Sequence, residues 1–510
     1  MTERSAEDQV IWDLIQAGVR EFVVCGGARN ARLVASLVAL AEENNTAGEN
    51  PMFQIWQHFE ERGAAFFALG RTKEAGEPCA VIITSGTAVA ECLPAVIEAH
   101  YSSKPLVIVS ADRPERFQGS GAPQTIAQDE LFGDYAHRGF GGDWTGQGPW
   151  HLNVPLEEEG GEVLPLQTEA QAFRPARRKF SVTEVLKFLD GGVYRGLLVM
   201  IGGLEPEERE EVYHFAKGLG VPVMADANSG LREALSGQQV DSGFDMPGRV
   251  LRLGEVPIGR FWRDLEEAEE TEVLSVCRNG LPGLARKEKV SVIQAELHRV
   301  LRSVGEVSFI GDVRDDLPSA RRRWNQRIEG LEAFPDSEAA LVRTLSLYAS
   351  MGESLFLGNS LPIREWNDYA QTEVAYEVVR ANRGANGIDG QVSTWLGASA
   401  YEKGAWGVFG DLTALYDLAA PAMLDQVERE GRVLVVVNNG GGRIFDRLPR
   451  LDELTESQRS ALVQGQEVVL SAWAQMWGMD YLRIENQDGF DELHPGEKTL
   501  LVEVIPREDS

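Results

Sequence analysis

The most informative segment of the chain is residues 406–445, WGVFGDLTALYDLAAPAMLDQVEREGRVLVVVNNGGGRIF. A short apolar strand ends in Gly410-Asp411, a helix-like segment follows, and a second apolar strand, residues 433–437, ends in Asn438-Asn439. Apolar runs of this length on either side of a helix are typical of a parallel sheet. The carboxyl ends of the two strands then bring a carboxylate and an amide oxygen to the edge where open α/β sheets bind ligands.

The oxygen-bearing side chains and the glycines beside them predict a site for a metal-bound diphosphate. Asp411 and Asn439, with 27 residues between them, offer the oxygen ligands that a hard divalent cation prefers and shares with phosphate groups. Gly440 and Gly441 allow the backbone to approach a ligand closely. The pattern resembles the GD…NN motif of thiamine-diphosphate (ThDP) enzymes.

The rest of the chain repeats the same alternation of strand and helix. A length of 510 residues is too great for one core and indicates two or three domains. Early strands are predicted at 22–25, 53–59, 79–84 and 106–111. The predicted fold class is α/β, with three doubly wound parallel-sheet domains of the ThDP-dependent decarboxylase type. We expect a pyrimidine-binding domain with the catalytic acid at 1–180, a central domain at 181–334 and a diphosphate- and metal-binding domain at 335–510. The first boundary is expected near 156–180, where an acidic run, glycines and a basic segment occur together.

Composition and charge exclude several classes of partner. The net charge of −30 and the pI of about 4.7 argue against nucleic acid or an anionic membrane. The start of the chain lacks the apolar run of a secretory signal, and no stretch reaches the length of a membrane span, so we expect a cytoplasmic protein. Four cysteines without CxxC spacing are expected to be buried free thiols. The seven histidines show no metal-ligand spacing.

A second motif, HFEERGAAFFALG at 58–70, carries an acid, Glu61, in the first turn of a predicted helix. Alone, this arrangement indicates only a favourable interaction with the helix dipole. In a ThDP enzyme, one buried carboxylate must hydrogen-bond N1′ of the aminopyrimidine. Apolar neighbours are expected to desolvate such a group and raise its pKa. The neighbours expected to do so are Phe59, Ala64, Ala65 and Phe66.

Arginines recur at the ends of predicted strands. One of them alone would more often be a surface residue. Four in an acidic protein favour a substrate with several carboxylates, because the guanidinium fork matches a carboxylate. The four are Arg29, Arg113, Arg364 and Arg383. The Ser85-Gly86 turn after the third strand could equally be a helix N-cap made by Ser85 or Thr87.

These motifs together resemble one ThDP family along nearly the whole chain. They are FEERGAAFFALG, TSGTAVAE, ADRP, GSGAPQTI, NSLPIR, NRGANGIDG, GDLTALYDL and NNGGGRIF. They are similar to those of the 2-succinyl-5-enolpyruvyl-6-hydroxy-3-cyclohexene-1-carboxylate (SEPHCHC) synthases, the MenD family. Leu412 after GD, NRGxxGIDG and NNGGG-IF separate this family from pyruvate decarboxylases and acetolactate synthases.

The resemblance implies a transferase of menaquinone biosynthesis. In that family, 2-oxoglutarate is decarboxylated with the help of ThDP and Mg²⁺ or Mn²⁺. The resulting carbanion adds in a 1,4 sense to isochorismate, giving SEPHCHC. The family also implies at least a homodimer. The sequence leaves open whether the assembly is a homodimer or a homotetramer, which metal is preferred, and whether a later metabolite regulates the enzyme.

The resemblance also assigns roles to individual residues. Glu61 would activate the cofactor, Ile388 would hold ThDP bent, and Asp411, Asn439 and the Gly441 carbonyl would bind the metal. The cofactor-binding residues would be Glu61, Ser85, Gly86, Ile388, Gly410, Asp411, Leu412, Asn439, Gly441, Ile444 and Phe445. The substrate-binding residues would be Arg29, Arg113, Gln124, Arg260, Ser360, Arg364, Arg383, Ile444, Phe445 and Leu448. The last three form an apolar loop that would close over the site, or an ordinary packed turn.

Three positions depart from the family pattern, all on the substrate side. Ala28 lacks a serine hydroxyl, Pro123 replaces a polar residue, and Phe261 follows Arg260 where a Lys-Arg pair is usual. Another ThDP-dependent 2-oxoacid decarboxylase or carboligase with a different acceptor therefore stays open. A non-catalytic ThDP-fold subunit is the alternative from another class, and the presence of both the acid and the metal ligands argues against it. A plain NAD-binding protein is disfavoured because no GxGxxG follows the first strand.

Overall fold

The computed structural model describes residues 5–46, 51–157, 168–189, 196–305, 316–448, 451 and 453–507. Within the first predicted boundary stretch, 158–167 therefore lie outside the described residues. The chain forms two compact units. The first contains Met1–Arg177, Gly384–Tyr401 and Leu415–Glu428, and the second contains Arg178–Arg383, Glu402–Ala414 and Arg429–Ser510.

The strands form three sheets in which every described strand pair is parallel. The strands in chain order are β1 (Glu21–Val24), β2 (Gln54–Gln57), β3 (Cys79–Ile83), β4 (Leu106–Asp112), β5 (His137–Arg138), β6 (Trp150–Pro155), β7 (Leu197–Ile201), β8 (Val223–Ala225), β9 (Arg249–Leu253), β10 (Glu272–Cys277), β11 (Val290–Gln294), β12 (Ser354–Leu357), β13 (Val378–Arg380), β14 (Ala405–Gly410), β15 (Val433–Val437), β16 (Asp480–Ile484) and β17 (Leu500–Val504).

Helices connect these strands, as parallel pairing requires. They are α1 (Ala6–Gln16), α2 (Ala31–Asn44), α3 (Glu61–Ala75), α4 (Thr87–Glu91), α5 (Leu93–Tyr101), α6 (Thr183–Leu189), α7 (Pro206–Leu219), α8 (Arg260–Asp264), α9 (Leu297–Val304), α10 (Asp316–Gly330), α11 (Glu338–Ala349), α12 (Leu361–Tyr369), α13 (Gln391–Ala398), α14 (Asp411–Tyr416), α15 (Glu456–Val463) and α16 (Leu470–Met476). None of these helices has both the length and the apolar character that crossing a bilayer requires.

The first and third sheets share one strand order. The first runs β2-β1-β3-β4-β6-β5 and the third runs β13-β12-β14-β15-β17-β16, so each strand of one has a counterpart eleven strands later. The second sheet has five strands in the order β11-β10-β9-β7-β8. The central strands β3, β7, β15 and β17 are buried along their whole length. Such strands read as continuous apolar runs because helices cover both faces of the sheet.

Helices α3 and α13 of the first unit pack with their backbones in near contact. A Cβ on Gly70 would lie 2.2 Å from the Thr394 carbonyl oxygen, and one on Gly397 would lie 2.1 Å from the Phe67 carbonyl oxygen. The Arg71 guanidinium, itself buried, donates to the Gly397 carbonyl at 2.9 Å. Glycine at these two positions therefore allows α3, the helix that begins at Glu61, to pack closely against α13.

The predicted strands are present with small shifts in their ends, and the predicted parallel α/β class is confirmed. Strands β5, β6, β9, β10, β11 and β16 were not predicted. Each sheet lies inside one of the three predicted domain ranges, and the domain boundaries themselves stay a prediction.

Candidate active site

Glu61 is the first residue of α3, directly after the end of β2. Glu60 is the N-cap, and its carboxylate accepts hydrogen bonds from the backbone N–H groups of Arg62 (3.1 Å) and Gly63 (2.8 Å). With Glu60 satisfying the helix N-terminus, Glu61 is not needed as a cap. Burial raises the pKa of Glu61, its own backbone N–H opposes this, and the charges of Glu60 and Glu91 add to the rise. The predicted direction of the pKa shift is therefore present.

The desolvating neighbours differ in one respect from the prediction. Ala64, Ala65 and Phe66 are buried, but the Phe59 side chain is 67% exposed. The prediction for Phe59 was wrong because the strand has ended before it and its ring stacks on the His58 ring, at 5.4 Å, instead of packing into the core. Burial lowers the pKa of His58 to about 4, so a neutral imidazole lies beside the acid-bearing turn at neutral pH.

The turn after β3 brings Gly86 and Gln124 together. Gly86 is the N-cap of α4 with φ of +88°, and a Cβ there would lie 3.2 Å from Gln124, so only glycine fits without strain. The alternative left open for this turn, an N-cap made by Ser85 or Thr87, is therefore not what the structure shows, and Ser85 is buried in the turn. Gln124 also has a positive φ, +55°, and its side chain is exposed. A non-glycine residue with a left-handed backbone conformation is strained, and such strain is often retained at functional sites.

Arg113 follows β4 and lies beside the same turn. Its Nε donates to the Pro123 carbonyl at 3.0 Å, so the residue that replaces the usual polar side chain contacts the arginine through its backbone. Arg29 donates to the Leu156 carbonyl at 3.2 Å from the loop after β1. Ala28 beside it is exposed. The hydrogen bonds link Arg113, Pro123 and the Gln124 turn.

The segment with Ile388 belongs to the first unit. The Glu98 carboxylate accepts from the backbone N–H groups of Gly384 (2.8 Å) and Ala385 (2.7 Å). Gly390 has φ of +67°, and a Cβ there would lie 1.9 Å from the Phe66 ring. These contacts fix both ends of the turn that carries the half-buried Ile388 to helix α3 and its neighbours.

Asp411 in the second unit joins the ends of β14 and β15. Its Oδ2 accepts from the Gly441 N–H at 2.6 Å and its Oδ1 from the Leu412 N–H at 2.7 Å. Burial raises the pKa of Asp411, while the backbone donors of Leu412, Gly441 and Gly440 oppose the rise. Gly441 has φ of +114°, and a Cβ on it would lie 2.4 Å from the Val463 carbonyl oxygen. The GD and NNGG motifs thus meet directly.

Asn439 supplies the second oxygen at this edge. Its Nδ2 donates to Oε2 of Glu338 at 3.0 Å, whereas its buried Oδ1 has no hydrogen-bond partner among the described residues. A buried carbonyl oxygen without a partner is costly unless a ligand uses it. The residues that the structure describes contain no cluster of three His, Cys, Asp or Glu side chains suited to a metal. The predicted ligands are of another kind: the Asp411 carboxylate, the Asn439 amide oxygen and the Gly441 backbone carbonyl are oxygen donors that suit Mg²⁺ or Mn²⁺.

Two of the predicted arginines lie close enough for their charges to interact: Arg364 in helix α12, which follows β12, and Arg383 just after β13. Arg364 donates to the Ser360 carbonyl at 2.6 Å, and Arg383 donates to Asn359 Oδ1 at 3.0 Å. Burial, together with the charges of Arg383 and Arg263, lowers the pKa of Arg364. Ser360 has φ of +72°, again a strained non-glycine position. This concentration of positive charge is suited to a carboxylate ligand.

A buried carboxyl group lies near these arginines. Burial raises the pKa of Asp226 to about 7, against the backbone N–H of Ile258 and the charge of Arg383, which lower it. The Ile258 N–H donates to its Oδ2 at 2.6 Å. Arg260 begins helix α8 two residues later, and its side chain is 70% exposed and ion-paired with Asp264 at 3.5 Å.

The predicted apolar loop is a short 3₁₀ turn, Arg443–Arg447. Ile444, Phe445 and Leu448 are all half-buried. Arg447 forms an ion pair with the fully buried Glu365, and burial raises the pKa of Glu365 to about 8 although that arginine opposes the rise. The turn is thus attached to helix α12, one residue from Arg364.

Several residues that support the site were missed. Gln128 is buried and accepts from the Gly86 N–H at 2.9 Å, Glu98 holds the Ile388 turn, and Glu338 holds Asn439. Glu338 follows a serine N-cap, which sequence alone explains as a helix start. Gln128 stands in a loop without any pattern.

Comparison with known proteins agrees with this geometry. Residues 5–131 match the N-terminal thiamine pyrophosphate-binding domain of thiamine pyrophosphate enzymes, which supports thiamine diphosphate as the cofactor. The chain resembles in structure a benzoylformate decarboxylase from Polynucleobacter necessarius, with a TM-score of 0.73 over 99% of both chains at 13% identity. It also resembles a putative thiamin diphosphate-dependent enzyme from Mycobacterium smegmatis, with a TM-score of 0.69 at 14% identity over 99% of this chain and 100% of that chain. At such identities the likeness concerns the fold alone, and it confirms the predicted fold type.

Sequence relatives identify the family. A 2-succinyl-5-enolpyruvyl-6-hydroxy-3-cyclohexene-1-carboxylate synthase from Akkermansia muciniphila is 44% identical over 96% of this chain and 93% of that protein. One of the same name from Bdellovibrio bacteriovorus is 37% identical over 94% of this chain and 92% of that protein. The predicted family is confirmed: the chain belongs to the SEPHCHC synthases, a family of thiamine-diphosphate enzymes.

Proposed function

We propose that the chain makes SEPHCHC from 2-oxoglutarate and isochorismate, as a ThDP- and Mg²⁺- or Mn²⁺-dependent transferase of menaquinone biosynthesis. Asp411, Asn439 and the Gly441 carbonyl would hold the cation that binds the cofactor diphosphate. The observation that carries the proposal is the unpartnered, buried Oδ1 of Asn439 at the strand end next to the one that bears Asp411. It is the oxygen that a bound cation would use.

Glu61 is the residue proposed to switch the cofactor on. When bound, thiamine diphosphate supplies a thiazolium carbon that can act as a nucleophile and then accept an electron pair. Burial raises the pKa of the Glu61 carboxyl group, which favours sharing its proton with a ring nitrogen. Glu60 already caps the helix, so Glu61 is available for the aminopyrimidine. Ser85, Gly86, Ile388, Gly410, Leu412, Ile444 and Phe445 complete the proposed cofactor contacts.

Arg364 and Arg383 are proposed to neutralise substrate carboxylates in the second unit. Burial lowers the pKa of Arg364 and the charge of Arg383 lowers it further, so an anion there would be stabilised by two guanidinium groups. Ser360 contributes from the same turn. Arg29, Arg113 and Gln124 are proposed for the same task in the first unit, and Arg260 and Leu448 complete the set.

The remaining parts of the proposal concern assembly and organisation. We propose a cytoplasmic homodimer or homotetramer with domains at 1–180, 181–334 and 335–510. Light scattering on the purified protein tests the assembly, and a monomer at micromolar concentration would contradict it.

The direct test is an assay with ThDP, Mg²⁺, 2-oxoglutarate and isochorismate that follows the loss of isochorismate absorbance. We expect turnover that requires all four components. A second assay replaces 2-oxoglutarate with pyruvate. The departures at Ala28, Pro123 and Phe261 favour testing this alternative, and faster turnover with pyruvate would assign the chain to a different 2-oxoacid carboligase.

A further inference from the structure

The Glu338 carboxylate is the only described hydrogen-bond partner of the Asn439 side chain. We infer that Glu338 is a positioning residue, which orients the Asn439 amide so that Oδ1 rather than Nδ2 faces the cation. The inference rests on the metal site of the proposed function, and it adds to the predicted ligands a residue 101 positions away in the chain.

The polarity of the hydrogen bond determines the orientation of the amide. An asparagine side chain presents a donor on one side and an acceptor on the other. A carboxylate can only accept, so Glu338 Oε2 pairs with Nδ2, at 3.0 Å, and Oδ1 is turned away from it. The reversed amide would bring Oδ1 against a buried carboxylate and aim an N–H group at the cation. Both contacts would be unfavourable.

The backbone of Asn439 is fixed independently of Glu338. Arg443 Nε donates to the Asn439 carbonyl at 3.1 Å, and β15 ends at Val437 in register with β14. The remaining freedom lies in the side-chain torsions. Glu338 itself is held as the first residue of helix α11, behind the N-cap Ser337, whose hydroxyl accepts from the Ala340 N–H. A helix start from elsewhere in the unit therefore provides a rigid support for the ligand.

The neighbouring asparagine provides a matched control within the same motif. Asn438 Nδ2 donates to Glu503 Oε1 at 2.7 Å, so it too pairs with a glutamate, here a buried one. Glu503 also accepts from the Tyr481 hydroxyl, which shows a purely internal network. Glu338→Gln and Glu503→Gln thus make the same chemical change beside adjacent asparagines, and only the first touches a proposed metal ligand.

Two substitutions separate orientation from charge, since Glu338 is also close enough to Asp411 for their charges to interact. Glu338→Gln keeps the size but offers an N–H group that can bind Oδ1 and so allows the reversed amide. Glu338→Asp keeps the charge but is one methylene shorter and is expected to miss Nδ2. If orientation matters, both variants lose metal affinity. If charge alone matters, the aspartate variant keeps it.

The test is a titration of each full-length apoprotein with Mn²⁺ in the presence of saturating ThDP, followed by the loss of the free Mn²⁺ electron paramagnetic resonance signal. We expect the dissociation constant for Mn²⁺ to rise about 10- to 100-fold in both Glu338 variants, the usual effect of removing a group that orients a metal ligand. It should stay within about twofold in Glu503→Gln. Thermal unfolding of the apoproteins, measured first, shows which variants fold. If Glu338→Gln does not fold, the Mn²⁺ affinity of Glu338→Asp decides whether the positioning role holds.

The outcomes separate this inference from the proposed function. A wild-type protein that binds no Mn²⁺ with ThDP would remove the metal site itself. A wild-type protein that binds Mn²⁺, with folded Glu338 variants that bind it equally well, would overturn the positioning role and leave the site intact. A loss in Glu338→Gln that Glu338→Asp restores would also overturn it, in favour of charge.

Discussion

The first and third sheets have the same strand order but differ in how their strand-end oxygens are satisfied. Strand β4 of the first sheet ends at Asp112, whose carboxylate accepts from the Arg113 N–H, Gln118 and Asn153, at 2.7, 3.2 and 2.9 Å. Its counterpart β15 in the third sheet is followed by Asn439, whose Oδ1 has no partner in the described part of the chain. The same topological position is thus structural in one sheet and suited to a ligand in the other.

The difference extends to the acids of the two sheets. In the first sheet, Glu60 caps α3 and Glu61 follows it with a raised pKa. In the third sheet, Asp411 receives two backbone N–H groups at the ends of β14 and β15. Under the proposed function, Glu61 beside the first sheet would serve the proton chemistry of the cofactor, and Asp411 beside the third sheet would hold the cation that binds the cofactor diphosphate. Substitutions in each sheet can separate the two tasks.

The largest expected effect is that of Glu61→Gln in the first sheet. Glutamine keeps the shape but cannot share a proton with the aminopyrimidine, so turnover should fall by about 10²- to 10⁴-fold. Affinity for ThDP in saturating Mg²⁺, measured by calorimetry, should change little, because Glu61→Gln leaves the proposed metal ligands Asp411 and Asn439 intact. The exposed neighbour Glu91, whose charge also acts on Glu61, is the control.

Glu91→Gln should keep nearly full turnover. If Glu61→Gln also stayed close to wild-type activity, the acid would not take part in the reaction and the division between the sheets would fail.

The next effect is expected from Arg364→Ala at the third sheet. Loss of a charge-assisted hydrogen bond should raise KM for at least one of the two acids by about 10- to 100-fold, with a smaller change in kcat. Steady-state kinetics with each acid varied in turn measures this. Arg483→Ala, on β16 of the same sheet and 55% exposed, is the control. Unchanged KM values for both acids would remove Arg364 from the pocket.

The smallest expected effect concerns stability and pH. Because burial raises the pKa of Glu365 to about 8 from an ordinary value of 4.5, the folded chain holds a proton that the unfolded chain releases in this interval. The contribution of Glu365 to stability therefore declines as pH rises from 4.5 to 8. Between pH 5 and pH 8, the wild type should lose more of its Tm than Glu365→Gln does.

The control for this measurement is Glu497→Gln, which removes an exposed glutamate and should follow the wild type at both pH values. Equal Tm losses in the wild type and Glu365→Gln would show that Glu365 is already ionised in the folded protein.

Much of this arrangement could be predicted from the sequence because the motifs are local. Gly410-Asp411 and the NNGG turn stand at the ends of apolar runs, so strand geometry alone brings them to one edge. The predicted burial of the four free cysteines, three of which lie in or beside apolar runs, is confirmed. Arg364 and Arg383 could be predicted as site residues because each follows a short apolar run in the sequence.

The parts that could not be predicted depend on distant pairing or on exposure. Glu338 meets Asn439 only because helix α11 begins beside the end of β15, and no pattern near residue 338 indicates a partner 101 residues away. Phe59 seemed a core residue by composition, yet its position after the strand end leaves it exposed. Strand β5, with two residues, is too short to leave a periodic signal.

The most direct test of the account is a calorimetric titration of the wild type and Asp411→Ala with ThDP, each with Mg²⁺ and with the metal removed by chelator. The account predicts that the wild type binds ThDP tightly only with Mg²⁺ and that Asp411→Ala shows the weak, metal-independent affinity of the chelated wild type. Equal ThDP affinity of the two proteins in Mg²⁺, or no binding by the wild type, would contradict it.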